Sequence, residues 1–287
     1  MIEDFFNLAL SAHIEECKLK SWKPVGGGCI HKTARLQTKN HSYFIKWNHC
    51  REIDLFLTEE KGLQLLNDHP EIRVPGVLGQ GQIEEKSYQL LEWIESGYPS
   101  SGFWGVFGKS LAKLHQHDHH YFGLSYDNYI GRLHQSNTHH ETWHSFFIAE
   151  RLEPQLKLAL SKKLINNQII SLFEKLFPKL ENLIPGERPS LLHGDLWSGN
   201  FLVDQNSLPV LIDPAVHYGH RETELAFTRL FGGFDKKFYY TYNEEFPLEI
   251  GFENRVDIHN LYPLLVHVNL FGSSYLSGIK QTLRRFA

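Results

Sequence analysis

The segment His193-Gly194-Asp195-Leu196-Trp197-Ser198-Gly199-Asn200, with Asp213 thirteen residues beyond Asn200, constrains this chain more than any other stretch. Gly194 and Gly199 interrupt it, so Asp195 and Asn200 stand on a loop rather than in a regular element. Asn200–Val203 and Pro209–Ile212 read as short strands. Asp204-Gln205-Asn206-Ser207 between them is a turn sequence, because Asn, Asp and Ser bond their own backbone and tolerate tight conformations. A hairpin brings its two ends together, so Asn200 and Asp213 are predicted to meet at its mouth.

A loop carboxylate followed by this pair suits phosphoryl transfer from ATP. Asp195 can orient an acceptor hydroxyl and take its proton. The side-chain oxygens of Asn200 and Asp213 suit Mg2+, a hard cation that prefers oxygen ligands. The spacing matches the catalytic-loop Asp, the Asn and the metal-binding Asp of kinases. A turn cap at Asp195 and a strand end at Asp213 would explain each residue singly, but not the triple within its flanking strands.

Phosphoryl transfer also needs a phosphate-covering loop and a lysine. Gly26-Gly27-Gly28 precedes Cys29, and successive glycines let backbone N–H groups approach phosphates closely. The GxGxxG spacing is not kept. Lys46 lies in Tyr43-Phe44-Ile45-Lys46-Trp47, on the strand after that turn, where a kinase lysine holds the α- and β-phosphates. In the following helix Glu59 falls four residues from both Leu55 and Leu63, inside the apolar stripe. An inward carboxylate needs a cation, and Lys46 is the natural partner. Leu90-Leu91-Glu92-Trp93-Ile94 closes this region, and the backbones of Glu92 and Ile94 are candidates for adenine. The ATP-binding set is therefore Gly26, Gly27, Gly28, Cys29, Lys46, Glu59, Glu92 and Ile94.

The pattern changes character near residue 95. Before it, Cys29–Gln37, Ser42–Trp47 and Lys86–Trp93 read as strands and Ile53–Asn67 as a helix. Glu95–Gly102 is a connector rich in Gly, Pro and Ser. After it, Phe103, Val106, Phe107, Leu111 and Leu114 recur at helical spacing. So do Ile169, Ile170, Phe173, Leu176, Phe177, Leu180 and Ile184, with Pro178 predicting a break. From about His220 the chain reads as helical. The expected class is α+β in two lobes. Residues 1–95 form a small antiparallel β lobe with one key helix, covering the nucleotide. Residues 96–287 form a larger, mostly helical lobe that carries catalysis and substrate.

Composition narrows the partners. The 287 residues carry a formal net charge of −4, which argues against nucleic acid. Three cysteines, Cys17, Cys29 and Cys50, make no disulfide framework and favour a reducing compartment. The acidic start lacks the features of a signal peptide. Leu261–Phe271 is too short for the roughly 20 apolar residues that cross a bilayer. A soluble cytoplasmic protein with no membrane partner is expected. His117, His119, His120, His139 and His140 cluster loosely, without HExxH spacing, and read as a polar loop region rather than a metal site.

Over nearly its whole length the sequence resembles the fructosamine kinase family, the ketosamine 3-kinases. The resemblance is carried by Gly27-Gly28-Cys29-Ile30, Asp127-Asn128-Tyr129-Ile130-Gly131, Gln135 with Asn137, and the His193–Asn200 segment. It continues through Asp213-Pro214-Ala215-Val216, Tyr218-Gly219-His220-Arg221-Glu222, Leu230-Phe231-Gly232-Gly233-Phe234 and the stretch from Leu264 to Gly272. It implies a protein-kinase-like fold. It also implies ATP- and Mg2+-dependent phosphorylation of the 3-hydroxyl of a ketosamine such as a ribulosamine or fructosamine, in deglycation repair. Glu224 departs from the family's usual Asp, and a local effect is expected.

Trp197, two residues after the expected base, offers an aromatic face on which a sugar ring can stack. His267, in an apolar helix, is a second candidate substrate contact. The Phe and Gly of a DFG motif are missing and Asp213-Pro214-Ala215 leads quickly into a helix, so a phosphorylation-controlled switch is not expected. Cys29 beside the glycine loop is a candidate for a redox-linked dimer. Two rival functions remain open. One is an aminoglycoside- or choline-type phosphotransferase, which shares the base, Asn and Asp. The other is a non-catalytic pseudokinase, against which the presence of Lys46, Asp195, Asn200 and Asp213 counts.

Overall fold

A computed structural model describes residues 2–26, 30–49 and 53–287. The elements run α1 (Ile2–Ser11), β1 (Ser21–Pro24), β2 (Lys32–Gln37), β3 (Ser42–His49), α2 (Ile53–Asn67), β4 (Val77–Ile83), β5 (Lys86–Glu92) and α3 (Phe103–Leu114). Then come β6 (Asn128–Ile130), β7 (Leu133–Gln135), α4 (Trp143–Phe146), a π-helical stretch (Phe147–Leu152), α5 (Glu153–Ser161) and α6 (Asn167–Leu176). A 3-10 turn (Phe177–Lys179), α7 (Leu180–Leu183), β8 (Ser190–Leu192), β9 (Phe201–Val203), β10 (Pro209–Leu211) and β11 (His217–Gly219) follow. The last are α8 (Arg221–Leu230), α9 (Lys236–Glu245), α10 (Phe252–His259), α11 (Leu261–Phe271), a 3-10 turn (Ser273–Tyr275) and α12 (Leu276–Phe286). Among the described residues no helix is long and apolar enough to cross a membrane.

The chain divides into two compact units. One holds Met1–Phe103 with Gly199–Pro214, the other Trp104–Ser198 with Ala215–Ala287. In the first, five antiparallel strands lie in the order β1-β2-β3-β5-β4. Successive side chains on a strand face opposite ways. Ile45 and Trp47 therefore share a buried face with Ala34, Leu36, Tyr88 and Leu90, and α1 covers that face with Phe5, Phe6, Ala9 and Leu10. Lys46 must point to the other face, in register with Thr33 and Gln89. There α2 lies, accepting a hydrogen bond from Gln89 at the carbonyl of Phe56. The β9–β10 hairpin belongs to the same unit, with Phe201 opposite Leu211 and Val203 opposite Pro209. Its turn is closed by Asp204, whose Oδ1 accepts from the N–H groups of Asn206 and Leu208 at 2.9 Å each.

The second unit is mostly helical. Its core joins Phe146, Phe147, Phe173, Leu176, Leu261, Leu265 and Ile279. Helix α11 is buried almost all round, as expected of an apolar helix in a core. The predicted break at Pro178 falls in the 3-10 turn between α6 and α7. The π-helical stretch has a local cause. Pro154 has no N–H to offer the Glu150 carbonyl, and the Arg151 guanidinium donates to that carbonyl instead, at 3.1 Å.

Candidate active site

In the first unit, Lys46 sits between two carboxylates. Its Nζ donates to Glu59 Oε1 at 2.6 Å and also to Asp213 Oδ1. Lys46 is 4% exposed, so its charge is stable only because both partners stand beside it. Burial works to lower its pKa, but Asp213 and Glu59 outweigh burial and hold it above the usual lysine value. Burial also raises Glu59, partly offset by Lys46. The expected pairing of Lys46 with Glu59 is thus present, with Asp213 as a further partner.

The hairpin brings Asn200 to Asp213 along the backbone, with Ile212 N–H donating to the Asn200 carbonyl at 3.1 Å. Asp213 takes a positive φ of 56°, a left-handed conformation that Asp tolerates better than most residues. Asn200 is buried while the Asp213 side chain stays half-exposed. An amide oxygen and a carboxylate oxygen are hard donors, and the set fits Mg2+. Glu92 ends β5 with its N–H given to the Gly76 carbonyl at 2.8 Å, and its carboxylate holds Arg73 and the Gly76 N–H. Ile94, two residues on, is buried. Gly26 is open, with nothing within 4 Å of where a Cβ would stand. Gly27, Gly28 and Cys29, and with them the expected phosphate contacts and redox-linked dimer, lie outside the described residues.

In the second unit, β8 pairs with β11 and delivers the chain into the loop that carries Asp195. Ala215 N–H donates to the His193 carbonyl at 2.8 Å, and Asp195 N–H to His193 Nδ1 at 3.3 Å. Gly194 has φ +84°, and a Cβ there would lie 2.0 Å from the Ala215 oxygen, so only glycine fits. Glu224 clamps this loop. Its Oε1 accepts from Gly194 N–H at 2.7 Å, and its Oε2 accepts from His193 N–H at 3.3 Å and His115 Nε2–H at 2.9 Å. Burial pushes the Glu224 pKa up, but His115, His193 and the Gly194 N–H together hold it below the usual value.

Asp195 lines a narrow cleft together with Glu224, Phe227, Tyr262 and His267. Trp197 is half-buried and meets Phe231 edge-on, at 6.3 Å and 77°. His267 donates from Nδ1 to the Pro263 carbonyl at 2.7 Å, which leaves Nε2 as the acceptor of a neutral ring. Burial keeps its pKa below the ordinary histidine value.

The clamp by Glu224, with His115 and Tyr242 behind it, was not legible in the sequence. The Tyr242 hydroxyl meets His115 Nδ1 at 2.8 Å. The one signal was the acidic residue at 224 itself, noted only as a departure from a pattern. His119 stacks on Tyr218 at 4.6 Å, and His140 bonds Ser145 and Glu150. His220, Glu222 and His259 lie close enough to hold an ion. But His220 Nε2 donates to the Pro185 carbonyl, its Nδ1 accepts from Glu222 N–H, and Arg255 occupies both Glu222 oxygens.

The fructosamine kinase family model matches residues 1–287. An Enterococcus faecium protein named a probable ketoamine kinase is 40% identical over 92% of this chain and 94% of its own. The chloroplastic protein-ribulosamine 3-kinase of Arabidopsis thaliana is 38% identical over 88% of this chain and 78% of its own. A Haemophilus somnus crystal structure named as a fructosamine-3-kinase superposes with a TM-score of 0.88 at 28% identity, covering 98% of this chain and 96% of that one. The aminoglycoside phosphotransferase APH(4)-Ia, 16% identical with a TM-score of 0.65 over 99% of both chains, shares the α+β protein-kinase-like fold. A lysine buried between two acids, the Asp195 loop held by a third and a match along the whole sequence lead to one conclusion: this chain belongs to the fructosamine kinase family.

Proposed function

We propose that this chain moves the γ-phosphoryl of ATP onto the 3-hydroxyl of a ketosamine such as a ribulosamine or fructosamine, as a deglycation kinase of the cytoplasm. The observation that carries this reading is Lys46 held between Glu59 and Asp213 on the hairpin that also carries Asn200. Residues 1–95 cover the nucleotide and residues 96–287 hold the acceptor. Lys46, positioned by Glu59, meets the α- and β-phosphates. Phosphate binding is assigned to Gly26, Gly27, Gly28 and Cys29, and adenine binding to the backbones of Glu92 and Ile94.

Asp195 orients the acceptor hydroxyl and accepts its proton as the oxygen attacks the γ-phosphorus. The bond to the β-phosphate oxygen breaks and ADP leaves. Asn200 and Asp213 hold Mg2+, which when bound neutralises charge on the β- and γ-phosphates. Trp197 and His267 border the sugar. Seven residues separate Asp213 from the start of α8, too few for a peptide-docking activation segment, and this favours a small or extended acceptor.

The test is an ATP-consumption screen against ribulosamine, fructosamine, choline and aminoglycosides, with mass spectrometry of the products. A ketosamine 3-phosphate is the expected product. Turnover confined to choline or an aminoglycoside would select the rival phosphotransferase reading, and ATP binding without turnover would select the pseudokinase. Asp195→Asn should abolish transfer while ATP still binds; retained turnover refutes the role given to Asp195.

A further inference from the structure

We infer that an aromatic wall running from Trp197 over Phe231, His267, Phe271 and Tyr275 receives the amine half of the ketosamine and recognises it as a cation. The inference rests on the ketosamine reading and adds what selects the acceptor. All five rings belong to the second unit. Phe231 lies 4.7 Å from His267 and 6.3 Å from both Trp197 and Tyr275. His267 in turn lies 5.5 Å from Phe271 and 5.0 Å from Tyr275. The wall starts two residues after Asp195, shares His267 with the Asp195 cleft, and ends at Phe271, which is 53% exposed. His267 thus joins the Asp195 cleft to the other rings, and the inference places the rest of the substrate along them.

Three features fit that path to a positive charge. First, several aromatic faces elsewhere in this unit are covered by the protein's own guanidinium groups. Arg221 stands 3.6 Å over Phe246, Arg151 4.4 Å over Phe146, and Arg229 4.4 Å over Tyr239. No lysine or arginine stands over the five rings of the wall among the described residues. Their negative faces are left for a cation from outside.

Second, two helices end at this wall. Phe231 caps α8 and Phe271 is the last residue of α11. Helix C-termini carry partial negative charge from their unpaired carbonyls. Gly232 and Gly272, with φ of 99° and 98°, turn the chain away directly after the two rings. Third, Nδ1–H of His267 is given to the Pro263 carbonyl, so Nε2 is the ring atom left to accept when burial keeps the ring neutral. It can take a hydrogen bond from an N–H without repelling its charge.

The nitrogen of a ketosamine is a secondary amine, protonated near neutral pH. An ether in which oxygen replaces that nitrogen has the same shape and no charge. The experiment compares kcat and KM for a ribulosamine of a small alkylamine and for this ether. The full-length enzyme is used as wild type and as Phe231→Leu, Tyr275→Leu and Phe271→Leu. Leucine keeps apolar bulk and removes the ring face. Circular dichroism and thermal unfolding report the fold, and exposed Phe271 is the position most tolerant of change.

The wild type should prefer the ribulosamine. The variants should raise its KM roughly 5- to 30-fold, the range a cation–π contact supports, while the KM for the ether moves less than twofold. An equal rise for both acceptors, no change for either, or a wild type that takes the ether as readily overturns cation recognition. In each of these cases the kinase reading stands. A wild type that phosphorylates neither acceptor while turning over another substrate overturns the ketosamine reading and the inference with it.

Discussion

Replacing Lys46 by Met removes the one cation between Glu59 and Asp213 and keeps the apolar bulk of the stem. Glu59 is then left with a second carboxylate for a neighbour and a side chain only 13% exposed. Removing one partner of a buried ion pair costs about 3–5 kcal/mol, because the remaining charge is desolvated without compensation. The Asp213 side chain is 44% exposed, so water screens its share. The loss therefore lies near ~3 kcal/mol, a fall in Tm of roughly 6–12 °C for a chain of this size.

The deficit must also depend on pH. Burial already raises the Glu59 pKa, and without Lys46 the strongest opposing influence is gone. A carboxyl whose folded pKa lies above its unfolded value stabilises the fold as pH falls, because the folded state binds the proton more tightly. Lys46→Met should therefore lose more at pH 8 than at pH 5.5. Adding Glu59→Gln should recover part of the loss at pH 8 without restoring phosphoryl transfer. Differential scanning fluorimetry at the two pH values, with ATP turnover measured in parallel, reads all of this. A single variant within 1–2 °C of wild type at pH 8 (a shift of well under 1 kcal/mol), or a double variant no more stable than the single one, would falsify the argument.

Glu224→Gln keeps the size of the clamp but gives it one acceptor oxygen for the three donors that now share two. We expect kcat to fall at least ~10-fold, the scale of one charge-assisted hydrogen bond, while the KM for ATP stays within about twofold. A matched loss in both parameters would place Glu224 in nucleotide binding instead. Acid should destabilise the second unit in two stages. Burial pulls the His220 pKa down to about 4. Its contribution is therefore complete above the unfolded value of about 6.5 and fades as pH falls toward 4. Burial raises Glu222, but Arg255 and His259 hold it down to about 2, so its contribution fades below pH ~4.5. A Tm that stays flat from pH 7 to pH 4 would contradict the His220 stage.

What the sequence made legible is local. Spacing and turn chemistry singled out Asp195, Asn200 and Asp213 and predicted the β9–β10 hairpin that joins the last two. Its place on the strand after the glycine turn singled out Lys46, and helical spacing put Glu59 inside the stripe of α2. Helix α1 was not anticipated, although Phe5, Phe6, Ala9 and Leu10 make one apolar face. Its worth appears only against the strand residues it covers, far along the chain. Strands β8 and β11 are three residues each and have no periodicity to read. The wall rings were visible only as separate aromatic residues, because what gathers them is the ends of α8 and α11.

The run from Asp213 to Glu224 shows why so short a link suffices. Ala215 N–H fastens the link to the His193 carbonyl, and His217–Gly219 pairs with Ser190–Leu192. His220 caps α8 with its own side chain, and two residues after Glu222 the same helix sends Glu224 back to the loop. Each stretch of the link helps hold the Asp195 loop in one conformation. Gly194 enforces the same conformation, since any other residue would drive a Cβ into the Ala215 oxygen. A switch of the activation-segment kind needs chain that can be ordered in one state and released in another. Here the chain that would have to move is the chain that builds the loop, so releasing it would remove the site rather than regulate it.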